Sequence, residues 1–159
     1  MKKLNFYQNK IAVIGLGYVG LPLSIEFSKK FKVVGYDLSL DRINNIKKRK
    51  NIYEISKKNY PQINSIKLTN NRNLLKTCNI FIITVPTPVH KNNKPDLSLL
   101  IKATKDVAKI MKHGDLVIFE STVYPGTTED ICIPILEKIS KLKLLSDKKN
   151  NEKNKPFFL

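Results

Sequence analysis

Residues 10–37 read KIAVIGLGYVGLPLSIEFSKKFKVVGYD, and this stretch decides the fold. Its first apolar run, 11–14, is short and β-branched, which is typical of a parallel strand buried on both faces. A glycine-rich turn and a helical pattern follow, and a second apolar run, 31–36, comes after them. This order predicts a strand, a turn, a helix and a second parallel strand.

The glycines of the turn, Gly15, Gly17 and Gly20, have the spacing GxGxxG. In dinucleotide-binding units the first allows a tight turn, the second admits a pyrophosphate and the third lets the helix pack closely on the strand. The helix N-terminus adds unpaired N–H groups and partial positive charge. Asp37 ends the second strand about 20 residues further on, where a carboxylate binds the adenosine ribose. The stretch therefore predicts a dinucleotide site, with a plain structural turn as the alternative.

Asp37 also bears on the choice of dinucleotide. A carboxylate at this position repels the extra phosphate of NADP, which favours NAD. Arg42 complicates the prediction, because an arginine near the ribose accommodates that phosphate; its other interpretation is a solvated side chain in the next helix. With Asp37 present, we predict NAD.

Length and composition narrow the class of protein. The 159 residues are about one domain, and 42% of them are hydrophobic. No apolar run approaches the roughly 20 residues of a membrane span, and the N-terminus lacks the apolar segment of a signal peptide. Cys78 and Cys132 have neither metal-site spacing nor a CxxC pair, which favours small buried side chains. We expect a cytoplasmic protein with no membrane partner and no metal.

The formal charge of +16 raises the question of a nucleic-acid partner. The excess is almost all lysine, with arginine only at Arg42, Arg49 and Arg72. Asparagine and isoleucine are also abundant, which is the pattern that A/T-rich codons produce. Because the lysines are scattered and not interleaved with aromatic residues, we expect no nucleic-acid partner.

The rest of the chain alternates apolar runs with amphipathic segments. This predicts an α/β fold with a doubly wound, mostly parallel, Rossmann-like sheet of about five or six strands. Further strands are predicted at 65–68, 79–85 and 115–119. Helices are predicted at 39–49, 72–77, 97–112 and, despite Pro134, 127–141. We expect residues 1–145 to form this NAD-binding domain and residues 146–159 to be a polar, basic, disordered tail.

Two loops follow predicted strands, at the strand ends where doubly wound sheets bind ligands. The first, Val85-Pro86-Thr87-Pro88, is stiffened by its prolines, and its Thr87 hydroxyl suits a ribose or phosphate. The second, 120–128, reads ESTVYPGTT and has hydroxyls and N–H groups that suit the nicotinamide half. Ordinary turn and helix-cap chemistry is the alternative for both loops.

Four motifs together resemble the N-terminal half of the nucleotide-sugar 6-dehydrogenases, the family of UDP-glucose and GDP-mannose dehydrogenases. They are IGLGYVGLPL at 14–23, VPTP at 85–88, KPDLSLL at 94–100 and FESTVYPGTTED at 119–130. The last two favour the branch, including the Vi-polysaccharide type, that oxidises UDP-N-acetylglucosamine or UDP-N-acetylgalactosamine to the uronic acid for surface polysaccharide synthesis.

The resemblance implies a set of residues around NAD: Gly15, Gly17, Tyr18, Val19, Gly20, Asp37, Arg42, Thr87 and Thr122. In the family the glycine turn holds the pyrophosphate, with Tyr18 and Val19 supplying turn N–H groups. Asp37 and Arg42 correspond to the residues that hold the adenosine ribose. Thr87 and Thr122 correspond to residues that approach the cofactor, with Thr122 nearest the reacting centre.

The family's reaction is two NAD-dependent oxidations of a primary alcohol, through a thiohemiacetal on a cysteine. Its catalytic glutamate, lysine, asparagine and cysteine follow a motif like FF(V/L)GYSPER, and this sequence ends in PFFL at 156–159. We therefore assign no catalytic residue, and neither cysteine matches the nucleophile's motif. The resemblance implies a truncated chain that is inactive alone and that meets its UDP-sugar only if the other half is supplied. Full-length family members are homo-oligomers.

Three alternatives remain open. A second chain supplies the substrate half of a split enzyme, or the chain is an NAD-binding module without turnover. The β-hydroxyacid dehydrogenases share IGLGxxG but usually have Met-Gly where Val19 and Gly20 stand, and they lack the Tyr-Pro-Gly loop, so they are the weaker match.

Overall fold

The computed structural model describes residues 9–52, 55–89, 95–145 and 156–157. In chain order the strands and α-helices of this part are β1 (Lys10–Ile14), α1 (Gly20–Ser28), β2 (Lys32–Tyr36), α2 (Leu40–Lys47), β3 (Ile66–Thr69), β4 (Ile80–Ile83), α3 (Ser98–Ala108), β5 (Leu116–Phe119), α4 (Ile133–Ser140), β6 (Lys143–Leu144) and β7 (Pro156–Phe157). Short 3₁₀ helices cover Lys57–Ser65 and Arg72–Thr77, and a π-helical turn, Thr128–Cys132, leads into α4.

Five parallel strands form the central sheet in the order β3-β2-β1-β4-β5. β1 is the middle strand, and its Val13 lies opposite Gly35 of β2 on one side and Ile82 of β4 on the other. The chain winds outward from β1 in both directions, so the carboxyl ends of β1 and β4 enclose the crevice where such sheets bind ligands. The predicted α/β, doubly wound parallel sheet is confirmed.

The core has one hydrophobic cluster on each face of the sheet. Successive residues of β1 alternate between them, because side chains of a strand point to opposite faces in turn. Ala12 and Ile14 belong to the cluster under α3 and α4, whereas Ile11 and Val13 belong to the cluster under α1 and α2. Burial on both faces explains why the first strand reads as an uninterrupted apolar run.

Two helices differ in their boundaries from the sequence prediction. α2 begins at Leu40, because the Ser39 side chain accepts a hydrogen bond from the Arg42 N–H at 3.1 Å and acts as the N-cap. The helix predicted at 127–141 is divided into the π-helical turn and α4, with Pro134 in the first turn of α4, where proline is tolerated. α4 ends at Ser140, and its C-cap residue, Lys141, is left-handed with φ 62°.

The structure also differs from the predicted tail at one point. β7 pairs in parallel with β6, the Leu145 N–H donates to the Phe157 carbonyl at 2.8 Å, and the Phe157 side chain is fully buried. Phe157 joins the cluster under α3 and α4, because burying a phenylalanine contributes about 1.5–3 kcal/mol. Residues 146–155 and 158–159 lie outside the described residues, so the domain boundary at 145 stays a prediction.

None of the helices in the described ranges has the length and apolarity needed to cross a bilayer. Cys78 and Cys132 are both buried and free.

Candidate functional site

The glycine turn between β1 and α1 needs glycine at two positions for reasons of its own packing. Gly15 has φ +94°, and an added Cβ there lies 3.0 Å from the Thr84 carbonyl oxygen. An added Cβ at Gly20 lies 1.8 Å from the Gly15 carbonyl oxygen, so the helix cannot pack this closely with any side chain. At Gly17 nothing lies within 4 Å of the added Cβ. The protein's own packing does not require Gly17, and the space beside it is open.

The first turn of α1 presents unbonded donors to this open space. Within the described part of the chain, the N–H groups of residues 17–20 donate no hydrogen bond; the first donor of the helix is the Leu21 N–H, to the Gly17 carbonyl at 3.2 Å. The side chains of Tyr18 and Val19 are 81% and 52% exposed. Free N–H groups and the positive end of a helix dipole make this turn suitable for an anion.

Asp37 lies directly after β2 and contacts the glycine turn. One carboxylate oxygen, Oδ2, accepts a hydrogen bond from the Leu16 N–H at 2.9 Å, and Oδ1 accepts one from the Ser39 N–H at 2.9 Å. The carboxylate therefore ties the end of β2 to the turn, at the edge of the crevice that the sequence predicted.

Arg42 of α2 reaches the same turn from the other side. Its Nε donates to the Leu16 carbonyl at 2.8 Å, and its Nη1 donates to the Asn51 carbonyl at 3.2 Å. The prediction placed Arg42 at a ribose; the structure places its guanidinium against the protein backbone at the rim of the crevice.

A cleft of about 330 Å³ opens beside these residues. It is lined by Ile14, Gly15, Leu16, Gly17, Tyr36, Asp37, Leu38, Ser39, Arg42, Leu75, Val85, Pro86, Leu99, Lys102, Ala103, Asp106 and Val107. Most of the walls are apolar, whereas Asp37, Arg42, Lys102 and Asp106 supply charge. A mostly apolar cleft with a few charged groups is typical of a small-molecule pocket.

Tyr36 and Asp106 are polar groups in an otherwise apolar part of this wall. Burial raises the pKa of the Tyr36 hydroxyl, and the nearby Asp106 carboxylate raises it further, so Tyr36 remains an uncharged donor at neutral pH. Asp106 forms an ion pair with Arg72, and its side chain is 17% exposed. Arg72 therefore holds the Asp106 carboxylate in this wall.

The two predicted ligand loops contact each other, and we call residues 85–88 and 120–128 the paired loops. The Ser121 hydroxyl donates to the Val85 carbonyl at 2.7 Å, and the Thr87 hydroxyl donates to the Thr122 carbonyl. A third hydroxyl, of Thr127, donates to the Tyr124 carbonyl at 2.8 Å. Thr87 and Thr122 are thus brought together, and the Thr87 hydroxyl proton is used within the protein.

Thr84 is a residue of this region that the sequence analysis missed. It directly follows β4, is 8% exposed, and its hydroxyl lies 2.6 Å from the Gly15 carbonyl oxygen and 3.1 Å from that of Ile14. The available signal was one polar residue near the end of the apolar run NIFIITV at 79–85.

A doubly wound parallel sheet with a GxGxxG turn at its switch point and an acid after β2 defines a dinucleotide-binding domain of the Rossmann class. A sequence model described as the NAD binding domain of the UDP-glucose/GDP-mannose dehydrogenase family matches residues 9–155. The chain belongs to this family, and the matched region is its NAD-binding domain. The free N–H groups and the open space at Gly17 fit the pyrophosphate of that cofactor.

Individual relatives agree with the family. UDP-N-acetyl-D-glucosamine 6-dehydrogenase of Pseudomonas aeruginosa is 46% identical over 87% of this chain and 33% of its own length. The solved UDP-D-ManNAc dehydrogenase of Pyrococcus horikoshii superposes with TM-score 0.78 at 39% identity, over 87% of this chain and 34% of that one. GDP-mannose dehydrogenase of Pseudomonas aeruginosa, solved as a ternary complex, has TM-score 0.76 at 26% identity, over 84% and 33%. The chain spans about a third of the length of the curated relatives it matches.

Proposed function

We propose that this chain binds NAD for the oxidation of a UDP-N-acetylhexosamine to its uronic acid, a step toward surface polysaccharide. The observation that carries the proposal is the set of free N–H groups at residues 17–20, next to the Asp37 carboxylate and an apolar cleft. The substrate class is supported by the relative that is 46% identical, a UDP-N-acetyl-D-glucosamine 6-dehydrogenase.

Each part of the site has a proposed role in holding NAD. The N–H groups of the glycine turn bind the pyrophosphate, and Asp37 accepts hydrogen bonds from the adenosine ribose. Each of its oxygens already accepts one N–H, and a carboxylate oxygen has a second lone pair for a ribose hydroxyl. Arg42 lies beside the adenosine ribose, and Thr87 and Thr122 approach the nicotinamide half of NAD.

NAD, when bound, would supply the hydride acceptor, and the residues of this chain would bind and orient it. We assign none of them as an acid, base or nucleophile. Cys78 and Cys132 are unsuitable as nucleophiles, because both are buried and burial raises the pKa of both thiols. We therefore propose that the UDP-sugar binds only when a second half completes the site, within a cytoplasmic homo-oligomer.

Calorimetric titration of the chain with NAD and NADP tests the cofactor part. We expect binding of NAD and weaker binding of NADP, because Asp37 repels a 2′-phosphate. The absence of heat with NAD in either redox form would contradict the proposal.

An activity assay distinguishes a domain of a dehydrogenase from a non-catalytic NAD-binding module. With NAD and UDP-N-acetylglucosamine the chain alone is expected to give no NADH absorbance. Adding the complementary two thirds of a relative, expressed as a separate chain, restores absorbance if the domain serves the dehydrogenase reaction. NAD binding without restored turnover favours a non-catalytic NAD-binding module.

A further inference from the structure

Thr84 connects β4 to the glycine turn through a buried hydroxyl. Its Oγ1 donates to the Gly15 carbonyl at 2.6 Å and lies 3.1 Å from the Ile14 carbonyl oxygen. A hydroxyl has one proton, and the shorter distance marks Gly15 as its main acceptor. Within the described residues, the Gly15 carbonyl accepts no other hydrogen bond.

The peptide between Gly15 and Leu16 is held at both of its polar ends. Thr84 binds its carbonyl oxygen, and the Asp37 carboxylate binds its N–H at 2.9 Å. A trans peptide is planar, so its C=O and N–H point in opposite directions and rotate together. The two side chains therefore specify a single orientation for this peptide.

The next peptide, between Leu16 and Gly17, presents the Gly17 N–H. Arg42 holds the Leu16 carbonyl of that peptide at 2.8 Å, so the Gly17 N–H points away from the guanidinium. The Gly17 N–H itself is unbonded in the described part of the chain. Each of the two peptides that lead to this donor is therefore held by side chains, the first by Thr84 and Asp37 and the second by Arg42.

The hydroxyl also lies against the start of α1. An added Cβ at Gly20 lies 2.5 Å from Thr84 Oγ1 and 1.8 Å from the Gly15 carbonyl oxygen. The Thr84 hydroxyl, the Gly15 carbonyl and Gly20 therefore pack as one unit, and the position of the helix N-terminus depends on that unit.

We propose that Thr84 is a positioning residue for the pyrophosphate: it orients the glycine turn so that the N–H groups of residues 17–20 meet the phosphate oxygens. It does not touch the cofactor. The proposal rests on the proposed function, in which those N–H groups bind the pyrophosphate of NAD.

The test compares Thr84→Val, which removes the hydroxyl at nearly constant shape, with Thr84→Ser, which retains it. Kd values are measured for NAD, ADP and adenosine. We expect Thr84→Val to raise the Kd of NAD and of ADP about tenfold, the effect of one hydrogen bond, and to leave that of adenosine within about twofold. Thr84→Ser is expected to bind all three within about twofold of wild type.

Thr104→Val is the matched control. Thr104 is fully buried on α3, and its hydroxyl donates to the Leu100 carbonyl at 2.8 Å, away from the glycine turn. Thr104→Val loses a buried hydroxyl, as Thr84→Val does. We therefore expect a melting temperature below that of wild type and an unchanged Kd for NAD. If Thr84→Val does not fold, Thr84→Ala removes the hydroxyl without placing a methyl group against the Gly15 carbonyl.

The outcomes separate this proposal from the proposed function. Wild-type chain that fails to bind NAD overturns both. Wild-type binding together with unchanged NAD affinity in Thr84→Val overturns the role of Thr84 alone. So does an equal loss for adenosine and ADP, or a serine variant as weak as the valine variant, since either result marks a general packing effect.

Discussion

The glycine turn and the paired loops both lie at the carboxyl ends of strands, but they are held in different ways. The turn is held by side chains of Asp37, Arg42 and Thr84, which come from the ends of β2 and β4 and from α2. In the paired loops, Ser121 and Thr87 donate to carbonyls of the opposite loop. The difference teaches that the ends of β2 and β4 and helix α2 hold the glycine turn in place, whereas the paired loops depend on each other.

The largest effect is expected from Gly20→Ala. The new Cβ lies 1.8 Å from the Gly15 carbonyl oxygen, so α1 must move away from the turn. We expect a loss of more than about 3 kcal/mol in the free energy of unfolding, in the range of severe core overpacking, and no measurable NAD binding. Chemical denaturation and calorimetry measure the two effects.

Gly17→Ala is the matched control for that variant. Nothing lies within 4 Å of its added Cβ, so the melting temperature is expected to change little, while the methyl group occupies the space proposed for the pyrophosphate. Unchanged NAD affinity in Gly17→Ala would show that the open space is not the phosphate site.

Asp37→Ala tests the side-chain support of the turn and the ribose contact together. It removes the acceptor for the Leu16 and Ser39 N–H groups and the proposed ribose ligand. We expect NAD affinity to fall about 100-fold, as for two lost hydrogen bonds to a charged acceptor, and the preference over NADP to narrow. Parallel NAD and NADP titrations measure both. An unaltered ratio of the two Kd values would argue against Asp37 as the selecting residue.

Asp115 tests whether the stability of β5, which carries the second paired loop, is separable from cofactor binding. It precedes the amino end of β5, and burial raises the pKa of its carboxyl from 3.8 to about 6, against the opposing effects of the Lys112 N–H and the charges of Lys112 and His113. Between these values the folded state holds a proton that the unfolded chain has released. Asp115 therefore makes stability fall as the pH rises from about 4 to about 6.

Asp115→Asn removes this titration and retains an oxygen that accepts from the Lys112 N–H. The stability of wild type relative to the variant is expected to decrease by about 2 kcal/mol across that pH range, measured by urea denaturation at each pH. NAD affinity should be the same in both proteins at pH 7. Asp115 lies at the amino ends of the strands, whereas the crevice lies at their carboxyl ends. A parallel pH dependence of stability in the two proteins would assign the titration to other groups.

The smallest effect is expected from Thr87→Val, which removes one hydrogen bond between the paired loops. We expect a loss of about 1 kcal/mol or less in stability and an unchanged Kd for ADP, because the glycine turn is held independently. NAD affinity falls if Thr87 approaches the nicotinamide half. A reduced affinity for ADP would contradict the independence of the two regions.

Local patterns were enough to predict much of this fold. The apolar run at 11–14 covers all but the first residue of β1, and the run at 79–85 contains β4. The glycine spacing and Asp37 pointed to the crevice at the carboxyl ends of these strands. The prediction of one helix at 127–141 was only partly right, because Thr128–Cys132 is a π-helical turn and α4 covers only Ile133–Ser140. Phe157 was assigned to a tail, because its burial depends on packing with residues far from it in sequence.

The sequence by itself determined the strand–turn–helix order, the glycines and the acid after β2, since these follow from periodicity and from the conformations that single residues allow. Only the tertiary structure decided that Thr84 binds the Gly15 carbonyl, that Arg42 binds the Leu16 carbonyl and that the paired loops join. Those contacts link residues brought together by the parallel pairing of β1 with its neighbours and by the placement of α2 and β5 beside them. Their partners are backbone groups, which every residue has, so the sequence contains no local mark of which carbonyl each side chain will meet.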